Sequence, residues 1–293
     1  MDGVVNVNKP RGLTSFRTVE ILKKLSSSRK AGHAGTLDPE ASGVLIVLLG
    51  EACKVSGIFL GQDKTYSATV VLGYTSTTWD AAGELRKSVD VFPETSRVND
   101  VIESFKGEYT HLVPEYSAKK SHGKTFYKIK RSGGKPPERR QTTLIHDIRL
   151  KKYTHPEITL TVNSSAGTYI RSLAVDIGQK LNTGAYLKEL VRTSVGSFTV
   201  DKAVQPDTEK WEKGYTGLSD TMMKFPHIVI NSNAAKRITN GICFTSGDIM
   251  EKSGDTEVPA LAVFSPEGKL LSLSRKQPDG EYSLLRVFNY DSN

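Results

Sequence analysis

Strict two-residue alternation in two separated stretches is the feature that most restricts how this chain can fold. From Lys64 to Gly73, the residues Tyr66, Ala68, Val70 and Leu72 fall on one face, and Ile158, Leu160 and Val162 repeat the pattern. Such alternation marks strands with one face in the core and the other toward water, as in antiparallel sheets. The second stretch stops at Ser164-Ser165-Ala166-Gly167. Beyond it, Ile170, Leu173, Ala174, Ile177 and Leu181 keep helical spacing, as do Phe16, Val19, Leu22 and Leu25 after a Thr14 or Ser15 cap. Residues 4–8 read as a short strand ending in the turn Lys9-Pro10-Arg11-Gly12. Both periods occur, strands dominate, and no regular βαβ alternation emerges. The expected class is α+β, with a mixed, largely antiparallel sheet flanked by helices.

Near residue 226 the character changes. A strand at Ile228–Ile230 is followed by a short helix around Ala234–Ile238. Strands over 258–264 and 269–274 flank the turn Ser265-Pro266-Glu267-Gly268, and a last strand covers 283–289. The expected organisation is a large unit over 1–225 and a small β-rich unit over 226–293. The longest apolar run, Val44 to Leu49, is far too short to span a bilayer, and no membrane association is expected. Met1 is followed at once by a strand-like segment and not by a signal or transit pattern, so a cytoplasmic location is expected. Cys53 and Cys243 stand far apart; one disulfide and two buried free thiols both fit, the thiols better suiting a reducing compartment. With no Cys-His cluster and no HExxH, no metal is expected.

Lys and Arg outnumber Asp and Glu by 40 to 32, giving +8. The excess is local. Residues 117–152 hold twelve basic side chains, among them Lys119, Lys120, Lys124, Lys128 and Arg131, against only Glu138 and Asp147. That stretch nets +10 and leaves −2 for the rest. Tyr116, Phe126 and Tyr127 are interleaved with it, and Gly133, Gly134, Pro136 and Pro137 mark a loop in its middle. A basic, aromatic-bearing, glycine-hinged segment suits phosphate contacts and base stacking; a solvated lysine-rich loop has the same composition.

Two segments could carry chemistry. The first, Gly32 to Gly43, holds His33 and Asp38 among glycines that let a backbone approach a ligand closely. Asp38 followed by Pro39-Glu40-Ala41 also reads as a helix start, with Asp38 as N-cap and Glu40 on the first turn. The second, Gly167-Thr168-Tyr169-Ile170-Arg171, sits at a strand-to-helix junction. Arg171 there opposes the positive end of the helix dipole, so it calls for a carboxylate. Asp38 and Asp176 are both candidates; pairing with Asp38 would hold that carboxylate ionised and orient it. By periodicity alone Tyr66 and Leu190 are core residues.

Taken in order, six segments resemble the TruB family of pseudouridine synthases. They are Val7-Asn8-Lys9-Pro10-Arg11-Gly12-Leu13-Thr14-Ser15; Gly32-His33-Ala34-Gly35-Thr36-Leu37-Asp38-Pro39; Lys64-Thr65-Tyr66; Pro114-Glu115-Tyr116-Ser117-Ala118-Lys119-Lys120; Gly167-Thr168-Tyr169-Ile170-Arg171-Ser172-Leu173; and Leu190-Val191-Arg192-Thr193. The C-terminal unit resembles, more weakly, the small PUA RNA-binding domain. The resemblance implies the pseudouridine synthase fold and isomerisation of the T-loop uridine of tRNA, uridine-55, to pseudouridine. It implies Asp38 as the essential carboxylate, through attack at ribose C1′ or removal of the C2′ proton. His33 would support the flipped nucleotide and Tyr66 would stack on the uracil. Tyr169 and Leu190 would line the base pocket, and Arg171 would pair with Asp38. The basic segment 117–152 would close over the T-arm, with Lys119, Lys120, Lys124, Lys128 and Arg131 as RNA contacts. No cofactor, metal or obligatory protein partner is implied, and a monomer is expected. Two departures stand out: Ser42 where many relatives carry Thr, and Lys128-Ile129-Lys130-Arg131 in place of a pattern ending in Ala-Arg.

Three other functions compete. An RNA-guided synthase shares the catalytic core, but the chain lacks long extensions for partner proteins. An RNA-binding or chaperone protein would have no use for Asp38, Tyr66 and Arg171 together. A glycoside hydrolase would need a second placed carboxylate, and Glu40 is the only acid near Asp38.

Overall fold

The alternating stretches become central strands of a single large sheet. The computed structural model describes residues 1–207 and 210–288. In spatial order the main sheet runs Tyr215–Gly217, Gly3–Lys9, Ser42–Leu49, Ala185–Val195, Lys64–Leu72, Glu157–Ser164, Arg140–Thr154 and Gly107–Leu112. Ala31–Ala34 pairs with Ser42–Leu49, and Phe198–Thr199 with Ala185–Val195. The pairings are antiparallel apart from one short parallel contact, where Val191 and Arg192 meet Ser42 and Gly43. That contact joins the two halves of the sheet, and the fold is α+β as expected.

Each half has its own core. Tyr66, Ala68, Val70 and Leu72 pack with Ile158, Leu160 and Val162 beneath the helices Thr95–Glu103 and Ile170–Lys180. Each such aliphatic burial contributes about 1.5–3 kcal/mol. In the other half, Leu45 and Val47 face the helix Ser15–Leu25, while Val44, Ile46 and Leu48 face Phe59, Phe264 and Phe288. The Ser42–Leu49 strand is therefore covered on both sides, which is why its sequence is a continuous apolar run rather than an alternation.

The helix Ser15–Leu25 departs from the sequence reading. Its buried stripe is Ser15, Thr18, Val19 and Leu22, the i, i+3, i+4, i+7 positions. Phe16 lies one residue off that stripe and is 68% exposed; Leu25, in the last turn, is 40% exposed. Two small polar residues complete the stripe, Ser15 for a loop contact described below and Thr18 donating its hydroxyl to Thr14 C=O. Thr14, as read, is the N-cap and accepts from Arg17 N–H.

Residues 227–287 form a second sheet in the order Phe244–Thr245, Glu281–Val287, Leu270–Lys276, Leu261–Phe264, His227–Ile230 and Ile249–Ser253, with one helix, Ser232–Thr239. The strand expected over 258–264 begins only at Leu261. The one expected over 283–289 covers Glu281–Val287, and residue 289 lies outside the described residues. Ile249–Ser253 was not anticipated, because four of its five residues are exposed and carry no apolar pattern. Phe264, Leu270 and Phe288 of this unit share a core with Val4, Val44 and Phe59 of the first. Cys53 and Cys243 are free thiols, half-buried and exposed respectively, so the expectation that both are buried fails.

The parallel contact predicts a sensitive position. Gly43 has φ +104°, and a Cβ there would lie 2.2 Å from the Arg192 carbonyl oxygen. Gly43→Ala combines left-handed strain with a backbone clash and should cost at least about 3 kcal/mol. Urea unfolding of the variant should show a midpoint lowered accordingly; an unchanged midpoint would contradict the assignment of Gly43 to the seam.

Candidate active site

The loop between Ala34 and Ser42 leaves the sheet beside this seam. It carries Asp38 in an open turn, not at a helix start. Pro39 and Glu40 occupy a turn closed by Ala41 N–H donating to Asp38 C=O at 3.1 Å, and a strand resumes at Ser42. The N-cap reading of Asp38, and with it Glu40 on a first helical turn, is overturned; too few residues separate Asp38 from that strand for a helix to fit.

Several contacts fix the loop from the N-terminal side. Ser15 Oγ donates to Leu37 C=O at 3.0 Å and accepts from Leu37 N–H at 2.9 Å. Gly12 N–H donates to Pro39 C=O at 2.8 Å. The fully buried Lys9 ammonium donates to the carbonyls of Pro10, Leu13 and Pro39. Burial pushes Lys9 down to about 8, against the pull of Asp38 and Glu40.

Arg171 fixes the loop from the other side. It stands in the first turn of the helix Ile170–Lys180, whose N-cap is Tyr169. Its Nη2 lies 2.9 Å from an Asp38 carboxylate oxygen, and its Nε lies 3.7 Å from Asp80. The same guanidinium donates to Tyr116 C=O at 2.7 Å and to Thr78 C=O at 3.3 Å. The arginine side chain is 5% exposed and the Asp38 side chain 39%. The cation is thus desolvated and committed to its partners, whereas the carboxylate stays reachable from outside. Asp176, the other candidate partner, instead accepts from the Tyr109 hydroxyl at 2.6 Å.

Asp38 and Arg171 open onto a cavity of about 340 Å³, within the range of small-ligand pockets. Tyr66, Tyr169 and Leu190 line it, so five of the six residues expected at the reaction centre converge there. His33 does not line it. It lies half-buried on the strand Ala31–Ala34 opposite Val47, with Nδ1 buried and lacking a hydrogen-bond partner. Burial, and secondarily Arg192, lowers its pKa. Burial likewise raises the Tyr66 phenol, opposed by the nearby Arg192 guanidinium.

Sequence reasoning did not single out Lys64, Asp80 or Arg192. Arg192 is buried at the seam, donating to Val44 C=O at 2.8 Å and Gly35 C=O at 3.0 Å. Lys64 is buried beside it and donates to the carbonyls of Leu60 and Gln62; burial pushes it down to about 8, and Arg192 adds to the shift. A signal existed. Lys64 shares a strand face with Tyr66, and Arg192 with Leu190, so two cations stood on faces otherwise read as core. Nothing in the Thr78–Asp80 turn marked it out.

The basic segment divides in two. Residues 140–152 belong to a sheet strand, Arg140–Thr154, and only 117–139 form an excursion, which starts at the cavity wall. Ser117 and Lys119 line the cavity, and the Lys119 ammonium donates to Gln141 Oε1 at 2.9 Å. Lys120 and Lys124 are exposed on a hairpin; Lys128 and Arg131 are exposed on the helix Phe126–Arg131. Buried Phe126 anchors that helix, and a Lys130–Glu115 ion pair ties it down. Among the described residues no helix is long and apolar enough to cross a membrane, and no metal-ligating group of His, Cys, Asp and Glu assembles.

Two imidazoles with lowered pKa, His33 and His111, make stability depend on pH; burial is the main cause for both. Both bind a proton less tightly folded than unfolded, so below pH ~6.5 the unfolded chain takes up more protons. Unfolding free energy should therefore fall as pH drops from 7 to 5.5, and His33→Gln should lessen that fall. Chemical denaturation at the two pH values checks it; an equal fall in variant and wild type would mean that His33 titrates normally.

The site can be set beside known proteins. A family model described as TruB family pseudouridylate synthase (N terminal domain) matches residues 23–170. One described as tRNA pseudouridylate synthase B C-terminal domain matches 171–208, so neither extends into the second sheet. The protein called tRNA pseudouridine synthase B in Nitrosomonas europaea is 41% identical over 80% of this chain and 80% of its own length. Its namesake in Caldicellulosiruptor saccharolyticus is 36% identical over 99% of this chain and 100% of its own. Among solved structures, a Cbf5-Nop10-Gar1 complex aligns with TM-score 0.76 and 26% identity, covering 98% of this chain and 84% of that one. An H/ACA RNP bound to a substrate RNA containing 2'-deoxyuridine has the same fold, with TM-score 0.76, 23% identity and coverage of 99% and 86%.

Proposed function

The chain belongs to the TruB family of pseudouridylate synthases, and on that premise we propose that it isomerises the T-loop uridine of tRNA, uridine-55, with Asp38 as the catalytic carboxylate. The observation that carries this reading is a half-exposed Asp38 carboxylate held at the cavity by the buried Arg171. A target base stacked in a folded T-loop has to leave its stack, at a cost of a few kcal/mol, before any side chain can reach its ribose. The cavity then receives it. Tyr66 and Leu190 supply apolar surface for the uracil, and Tyr169 closes the side next to Arg171. Arg171 pairs with Asp38 and aims it, so ordering the carboxylate costs little at the moment of reaction. Attack by Asp38 at C1′, or removal of the C2′ proton, releases the N1–C1′ bond. The base turns, C5 bonds to C1′, and the C5 proton ends on N1. Reactant and product have the same atoms, so the chemistry consumes no cofactor.

The excursion over 117–139, with Lys119, Lys120, Lys124, Lys128 and Arg131, is the proposed clamp on the T-arm backbone, positioning RNA without reading its sequence. The unit over 226–293 is proposed as a PUA-like RNA-binding domain on the catalytic domain 1–225, with His33 supporting the flipped nucleotide. The protein is proposed to act in the cytoplasm as a single polypeptide, without a guide RNA or protein partner.

The test is nucleoside analysis of an unmodified tRNA transcript incubated with purified protein alone. Wild type should form pseudouridine at the T-loop uridine, and none in a transcript carrying cytidine there. Asp38→Asn should lower the rate by more than about 10⁴-fold while still binding tRNA. Product from Asp38→Asn at a comparable rate would remove Asp38 from the chemistry. A folded wild type that binds tRNA without product would remove the stand-alone assignment.

A further inference from the structure

Among the described residues, just two of the Phe, Tyr and Trp side chains are classed as exposed: Phe16 at 68% and Tyr127 at 47%. Tyr127 belongs to the basic excursion. Phe16 stands in a second basic region, one hidden by the average charge outside residues 117–152. Residues 11–30 contain Arg11, Arg17, Lys23, Lys24, Arg29 and Lys30 against Glu20 alone, a net of +5. Glu20 is paired with Arg17 at 3.2 Å and Arg11 with Glu40 at 2.9 Å, while Lys23 and Lys24 are exposed on the groove that the ring borders.

The ring does not stand on a flat surface. Phe16, Val19, Lys23 and Lys24 of the helix, with Ala31, line a groove of about 500 Å³, and Glu20, whose carboxylate is paired with Arg17, lines it too. Its far wall, Ala31, begins the strand that carries His33. Its near end adjoins the Asp38 loop, because Ser15, the residue before Phe16, bonds both polar backbone atoms of Leu37. The helix that lines the groove thus also holds the Asp38 loop, which Arg171 pairs with from the cavity. An RNA strand whose target base occupies the cavity would carry a neighbouring part of its chain past this groove. An exposed aromatic face, apolar floor atoms and two lysines at the rim are the parts of a single-strand stacking site.

We infer that the Phe16 groove is a second nucleotide-binding site, in which Phe16 stacks on an unpaired base of the same tRNA and Lys23 and Lys24 contact its flanking phosphates. This rests on the tRNA reading above. Its energetic role is to hold the RNA while the target base is out of its stack, so it acts on binding and not on the chemical step.

The experiment measures tRNA affinity and turnover for wild type, Phe16→Ala, Phe16→Trp and the double variant Lys23→Gln/Lys24→Gln. Removing a stacking ring costs about tenfold or more in affinity. Phe16→Ala should weaken binding and raise KM by about that factor, with the loss absent from kcat. Phe16→Trp should bind like wild type, and its indole emission should be quenched by tRNA beyond the quenching of Trp79 and Trp211. The lysine variant should bind less steeply with salt, by about 1.4 in the log–log slope for two single-strand phosphates. Wild-type affinity in Phe16→Ala together with no added quenching in Phe16→Trp would overturn the inference, and would do so equally if the groove serves a protein instead. If wild type itself bound and modified no tRNA, the functional reading would fall first and this site with it; product formation by wild type separates the two failures.

Discussion

A guanidinium withdrawn from water and a carboxylate left at its edge set the terms for the rest of this molecule. Arg171 is desolvated, so it needs a full set of acceptors. It finds them on three separate segments: Asp38 on one loop, Thr78 and Asp80 on another, and Tyr116 at the start of the basic excursion. Losing one partner would leave a buried charge incompletely compensated, a larger penalty than the pair's own net gain. Arg171 therefore works as a junction. It fixes where the excursion begins relative to the Asp38 loop, so the basic segment and the proposed catalytic carboxylate share one reference point. Its helix needs the same arrangement, since a cation in the first turn opposes the helix dipole unless an anion stands beside it.

The seam between the two halves of the sheet explains why that junction can hold. Gly43 lets the Ser42–Leu49 strand approach the Arg192 backbone more closely than any side chain would allow. Arg192 in turn donates across the seam to Val44 and Gly35, at the two ends of the Asp38 loop. The loop is thus tied at both ends by Arg192, gripped from one side by Ser15 and from the other by Arg171. A seven-residue connection with little regular structure is thereby held at its ends and from both sides. Such constraint suits the catalytic role proposed for Asp38, since a reacting group's alignment has to be settled before substrate arrives.

Much of this was legible in sequence, and the failures have physical reasons. Alternation located the strands around Tyr66 and Leu160, because half-buried strands write their orientation into every second residue. It could not locate the seam, because a parallel contact of two residues leaves no periodic trace. Asp38 followed by Pro39-Glu40 was ambiguous because a helix cap and a turn use the same residue types; what decides is the strand that resumes at Ser42. Phe16 fitted a helical stripe by spacing, yet the buried stripe keeps only Val19 and Leu22 of that reading and is completed by Ser15 and Thr18, small residues that hydrogen-bond to backbone. The basic segment read as one unit because charge does not reveal that residues 140–152 are sheet and 117–139 are not. Asp80 matters through geometry alone, as an acid brought to Arg171 from a distant turn.

Charge also explains why the site is built with so many cations around one accessible carboxylate. Lys9, Lys64, Arg171 and Arg192 are all buried, and two of them, Lys9 and Lys64, have ammonium groups pushed down to about 8. Lys9 is solvated by backbone carbonyls beneath the Asp38 loop and has a clear structural role. Lys64 borders the cavity, satisfied by two carbonyls but destabilised by Arg192. A buried cation with a cationic neighbour is costly in the empty protein, and that cost falls when an anion enters. Phosphate oxygens are the anions that the proposed substrate brings to the cavity. The same positive field that burdens the free protein would then favour the bound one, while the Asp38 carboxylate keeps its own partner in Arg171.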